Sequence, residues 1–248
     1  MIRLFIAEST PVFVAGLRLV LNPDQSRYLG AVMRRTAGDE ISLFNGRDGE
    51  WTAHIAEVGK RAVIVELTQQ TRPQPTAGGP VLAVALVKRA ALEYIVEKAT
   101  ELGAARIQLL ITRRCNADHT RLDRLQTIAR EAAEQTERLD VPEILAPLKL
   151  DTWLAAPDVD TIIFGDENST HEQGARQTRP LLAAASQLTG RAALLIGPEG
   201  GFDDSERTAL RVLPNVQPVS LGPRILRADT AAIAALALYQ AAAGDWRL

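Results

Sequence analysis

Up to residue 70, short apolar runs alternate with turn residues. Glu40-Ile41-Ser42-Leu43-Phe44 is followed by Asn45-Gly46, and runs at 51–58 and 61–67 flank Gly59-Lys60. Runs of this length, bounded by glycine and asparagine, predict strands of a small β-rich domain. One helix is expected there, over 24–35. Beyond residue 80 the rhythm lengthens. Nearly continuous apolar stretches at 81–87, 106–111, 161–164, 192–196 and 216–220 read as strands covered on both faces. Helical periodicity separates them. Leu92, Ile95, Val96, Ala99 and Leu102 share one face and stop at Gly103, and Leu122, Leu125, Ile128, Ala129, Ala132 and Leu139 form a second stripe. Asp203 with Glu206 three residues on is a capping box, and alanine-rich 230–243 closes the pattern. Strands alternating with helices predict a mostly parallel α/β sheet.

The segment 71–80, TRPQPTAGGP, separates the two patterns and reads as a linker. The expected domains are 1–72 and 73–248. The net charge of −2 argues against an indiscriminate nucleic-acid binder, so any RNA contact must be local. Residues 1–36 hold Arg3, Arg18, Arg27, Arg34 and Arg35 against Glu8 and Asp24. No apolar stretch reaches the length of a membrane span, and the N-terminus turns polar too soon for a signal peptide. One cysteine, Cys115, allows no internal disulfide and fits a cytoplasmic setting. Three scattered histidines show no metal-ligand spacing, so no metal is expected.

Ligands of open α/β sheets bind beyond the carboxyl ends of strands. Three loops there are unusual: Gly165-Asp166-Glu167-Asn168, Gly197-Pro198-Glu199-Gly200-Gly201-Phe202, and 221–230, LGPRILRADT. The glycines of the second allow close approach of a ligand to the main chain, or else simply a tight turn into the next helix. No phosphate loop and no dinucleotide fingerprint is present, which removes NTPases and dehydrogenases. Arg224 and Arg227 stand just before a helix start, where a cation is unfavourable. They await either an anionic partner or an ion pair with Asp229 or Glu199.

Together, Leu194–Glu206 (LLIGPEGGFDDSE) and Ser220–Ala231 (SLGPRILRADTA) resemble the uridine-N3 methyltransferases of 16S ribosomal RNA, the small-subunit methyltransferase E family. Lys88–Gly103, Glu131–Pro142 and Val32-Met33-Arg34 with Gly38–Ile41 and Phe44–Gly46 agree. The chain departs from the family at Asp229, where glutamate is usual, near Tyr28, where histidine is common, and at Glu137, where the pattern has glycine. The resemblance implies a small PUA-like β-barrel domain followed by a SPOUT parallel-sheet domain with a trefoil knot, acting as a homodimer. It implies S-adenosyl-L-methionine as cofactor and 16S rRNA, within the 30S subunit, as partner. The expected cofactor residues are Leu195, Ile196, Gly197, Pro198, Gly200, Gly201, Ser220, Leu221, Gly222, Ile225 and Leu226. Glu199, Arg227 and Asp229 are the catalytic candidates, and Arg3, Arg34, Arg35 and Arg224 the RNA contacts. Another RNA target such as tRNA, or a non-catalytic RNA-binding ribosome-assembly protein, are the alternatives.

Overall fold

The computed structural model describes residues 1–7, 10–76, 78–115, 120–166 and 178–247. They form two compact units, one of Met1–Thr76 with Ala133–Val141, the other of Ala77–Ala132 with Pro142–Leu248.

The first unit is built on a five-stranded sheet of order β1-β3-β4-β5-β2. Its strands are β1 (Ile2–Phe5), β2 (Arg18–Val20), β3 (Glu40–Phe44), β4 (Glu50–Val58) and β5 (Val63–Arg72). β1 runs parallel to β3, and the other pairings are antiparallel. Alternating side chains of these strands, among them Leu4, Ile41, Leu43, Ile55 and Val65, make one buried core. The expected helix over 24–35 is split. A short helix α1 (Pro23–Arg27), capped by Asn22, gives way to a π-helical turn over Tyr28–Val32. Gly30 and the β-branched Val32 weaken any longer α-helix there. β5 also runs into the proline-rich segment, because prolines begin only at Pro73.

The segment Ala133–Val141 joins this unit through Arg3. The Arg3 guanidinium donates to the carbonyls of Ala133, Glu134 and Arg138 at 3.0–3.1 Å and to Glu50 at 2.6 Å, and lies 4.7 Å over the Phe44 ring. Ala133 and Leu139 are buried against Phe44. Leu139 therefore serves this core and not the helix stripe predicted for it, since α3 (Leu122–Gln135) ends four residues earlier.

The second unit carries a seven-stranded sheet of order β10-β12-β9-β11-β6-β7-β8, parallel at every pairing. Its strands are β6 (Val81–Ala85), β7 (Arg106–Ile111), β8 (Glu143–Lys149), β9 (Thr161–Gly165), β10 (Arg179–Pro180), β11 (Ala192–Ile196) and β12 (Val216–Ser220). All five residues of β11 are buried, as two-sided cover demands. The helices are α2 (Arg89–Glu101), α3, α4 (Leu150–Ala155), α5 (Leu181–Ala185), α6 (Asp204–Val212) and α7 (Ala228–Ala242). Gly103 follows α2 at φ +77°, and a Cβ there would meet the Gln240 side chain at 2.4 Å. Gln240 spends that space donating to the Leu102 carbonyl, which closes the helix end. No described helix is long and apolar enough to cross a membrane.

Candidate active site

Strand order explains why three loops distant in sequence meet. β9 lies between β12 and β11, so the chain leaving each strand emerges on one sheet edge. Gly165-Asp166 follows β9, Gly197–Phe202 follows β11, and Leu221–Arg227 follows β12. Between them lies a cavity of about 270 Å³, just below the ~300–1,000 Å³ usual for small-molecule sites.

Of the expected cofactor residues, Ile196, Gly197, Pro198, Gly201, Ser220, Leu221, Gly222, Ile225 and Leu226 line this cavity. Leu195 points instead into the sheet core, and Gly200 faces the Arg114 side chain. Arg224, expected as an RNA contact, also lines the cavity. Phe202 and Ala228, in two of the expected loops but not among the expected cofactor residues, also line it, as do Asp166, Arg207 and Ala231. Arg207 and Arg211 have a helical i, i+4 spacing that was visible, but their partner Asp166 is distant in sequence.

The capping box forms as predicted, with Asp203 accepting from Ser205 N and Glu206 from Asp203 N. It fixes the start of α6 directly after the glycine loop. A hydrogen bond from Gly201 N to Pro198 O closes the loop itself, with Gly201 at φ +68°. The Phe202 ring packs edge-on to Phe164 of β9 and fills the space beside Gly197. A Cβ on Gly197 would stand 2.8 Å from that ring, so the close approach requires glycine.

Glu199 is exposed outside the cavity lining and accepts from Lys88 N, ahead of α2, at 3.4 Å. A carboxylate there complements the helix dipole. Asp229 accepts from the backbone and hydroxyl of Thr230, a local turn. Arg227 is the N-cap of α7 without a side-chain cap bond. Among the described residues, Arg224 and Arg227 make no ion pair with Asp229, Glu199 or any other carboxylate. This leaves both guanidiniums available to an anionic ligand.

The four expected RNA contacts differ in placement. Arg34, at φ +50°, is exposed, and Arg35 makes, among the described residues, a long 4.0 Å pair with Asp39. Arg3 is a correction: its side chain is 9% exposed and its guanidinium is committed to Glu50 and three carbonyls, so it holds the first unit together and has no face for a phosphate. Glu167 and Asn168, in the first of the three loops, lie outside the described residues. Among the described residues no group of three His, Cys, Asp or Glu is placed to hold a metal ion.

A parallel sheet with a glycine-built cavity at its carboxyl edge, preceded by a small β-rich unit, defines the class of α/β proteins that bind a ligand beyond the strand ends. Family profiles described as "RNA methyltransferase domain" and "RNA methyltransferase PUA domain" match residues 79–240 and 21–68. The chain is 35% identical over 211 residues to the ribosomal RNA small subunit methyltransferase E of Rickettsia conorii, covering 85% of this chain and 84% of that one. It is 34% identical over 254 residues to the protein of that name from Synechocystis, covering 94% and 80%. A crystal structure of the Neisseria gonorrhoeae small subunit methyltransferase E bound to S-adenosyl methionine superposes with a TM-score of 0.83, at 25% identity and 99% coverage of both chains. A Legionella pneumophila methyltransferase in complex with the same cofactor gives 0.80, at 31% identity and 98% coverage of both. The chain belongs to the ribosomal RNA small subunit methyltransferase E family.

Proposed function

We propose that this protein methylates N3 of a uridine in 16S ribosomal RNA, with S-adenosyl-L-methionine as methyl donor. The cavity built by the ends of β9, β11 and β12 carries this reading. Its walls suit such a donor: Ile196, Pro198, Leu221 and Leu226 supply apolar surface, and the glycine-containing turns bring main-chain groups alongside. Gly197, with no room for a side chain, keeps that approach open. When bound, the donor supplies an electrophilic methyl group on a sulfonium.

The protein's own task is to present a nucleophile. Uracil N3 carries a proton and attacks poorly until it leaves, so the site must stabilise the pyrimidine anion. Arg227 does this, as an exposed guanidinium without an ion pair among the described residues, at the start of α7 between the cavity-lining Leu226 and Ala228. Glu199, exposed on the adjacent loop, orients the base or accepts its proton, with Asp229 as a second candidate. Holding the reactants in line supplies several kcal/mol of the barrier without any covalent enzyme intermediate.

Arg34, Arg35 and Arg224 contact RNA phosphate. The near-neutral charge favours recognition of a shaped substrate, the 30S subunit, over bare RNA. The family resemblance supports the knotted SPOUT chain path, the homodimer and the cytoplasmic setting. Methylation of 30S subunits by Glu199→Ala and Arg227→Ala tests the roles. Turnover should fall by about 10²-fold or more in each, with cofactor affinity retained. Wild-type turnover in both variants would overturn the assignment.

A further inference from the structure

The cavity wall contains a group of charged side chains that the reaction does not use. Asp166, directly after β9, has a fully buried carboxylate. Two arginines one helical turn apart on α6 converge on it. Arg211 donates from Nε at 2.9 Å and from its terminal nitrogen, while Arg207 Nε stands 3.8 Å from the other carboxylate oxygen. Both arginine side chains are nearly buried, at 11% and 13% exposure. Asp166 and Arg207 line the cavity. The third charged side chain in its lining among the described residues, Arg224, is exposed at the rim.

We propose that Arg207 is the subsite for the α-carboxylate of the cofactor's methionyl end, held in place by Asp166 and Arg211. This rests on the cofactor reading above. A carboxylate entering the cavity loses much of its hydration and needs a charged donor there. A guanidinium offers five N–H donors in a fixed fork suited to a carboxylate. Arg207 meets this need from the buried wall, as the one arginine of the pair that lines the cavity among the described residues. Arg211 anchors Asp166, and Asp166 in turn orients Arg207. The adenosine portion then falls to the backbone and apolar surfaces of the other two loops.

The test pairs a change in ligand with a change in protein. The full chain is titrated calorimetrically with S-adenosylhomocysteine and with its decarboxylated analogue, which lacks only the carboxylate. Wild-type protein should bind the first more tightly by on the order of tenfold or more, the value of one charge-assisted hydrogen bond. Arg207→Gln should lose that preference while binding the decarboxylated analogue as the wild type does. Equal wild-type affinity for the two ligands overturns the subsite without recourse to any variant. Equal weakening of both ligands by Arg207→Gln also overturns it, because Arg207 would then only support the wall. If the wild type binds neither ligand, the cofactor reading itself fails.

Discussion

Arg3 Nε donates to Glu50 Oε1 at 2.6 Å, and both side chains are almost buried, at 9% and 11% exposure. Glu50 also accepts from Ser42 and Arg72, and Arg3 reaches three carbonyls of the 133–138 segment. Breaking a buried pair leaves an uncompensated charge. Arg3→Met should therefore cost about 3 kcal/mol of stability in the first unit. Hydrogen exchange of β1 and β3 reads this loss. Unchanged protection together with weakened RNA binding would return Arg3 to the RNA interface.

The same pair sets an acid limit. Burial disfavours the Glu50 carboxylate, but hydrogen bonds from Arg3 and Ser42 and the charges of Arg3 and Arg72 outweigh it, so its pKa is held below the ordinary 4.5. A depressed folded pKa adds stability that is present above 4.5 and disappears as pH falls through the lowered value. Glu50→Gln should be destabilising at neutral pH, with the difference from wild type shrinking on acidification below 4.5. Urea midpoints measured across that range check the sign. A gap that widens in acid would contradict it.

Gly197→Ala places a methyl 2.8 Å from the Phe202 ring, which Phe164 holds edge-on at 5.1 Å. The ring cannot yield freely toward the sheet, so it is pushed toward the cavity it lines. Overpacking of this kind costs about 1–3 kcal/mol, and cofactor affinity should fall at least about tenfold, equivalent to ~1.4 kcal/mol. Melting and calorimetry separate the two effects. An unchanged affinity would mean that Phe202 does not shape the binding space.

Glu137 adopts φ +60°, a left-handed conformation that costs a side-chain-bearing residue roughly 1–2 kcal/mol. Its carbonyl accepts from Arg72, so the strained backbone is held by the first unit. Glu137→Gly should stabilise the protein by about 0.5–1 kcal/mol, the strain relieved less the added chain entropy of glycine. A lower melting temperature would show that the Glu137 side chain contributes more than its backbone costs.

Much of this architecture was legible in the chain because local pattern and tertiary role coincide. β7, β11 and β12 fall on the predicted residues, and the Asp203–Glu206 capping box forms as its spacing implied. Strands with weaker signals were missed. β1 has only four residues and β2 three, while β8 carries a proline and β10 is a two-residue edge pairing. Pairing partners supply what their own sequence does not. The same holds at the site: the glycines and Leu221–Leu226 stood out in composition, whereas Phe202 and Arg207 acquire their place only through Phe164 and Asp166. Charge alone also misled at Arg3, since nothing local distinguishes a buried arginine from an exposed one. The Ala133–Val141 segment, similarly, looks like a helix end until Arg3 gathers its carbonyls.

Mass mapping of 16S ribosomal RNA from cells with and without this protein is the most direct measurement. One uridine should carry an N3 methyl group only when the protein is present, and purified protein with S-adenosyl-L-methionine should restore it on deficient 30S subunits. Identical 16S methylation in both cell types, or a methyl group that depends on the protein but lies on tRNA, would contradict the account.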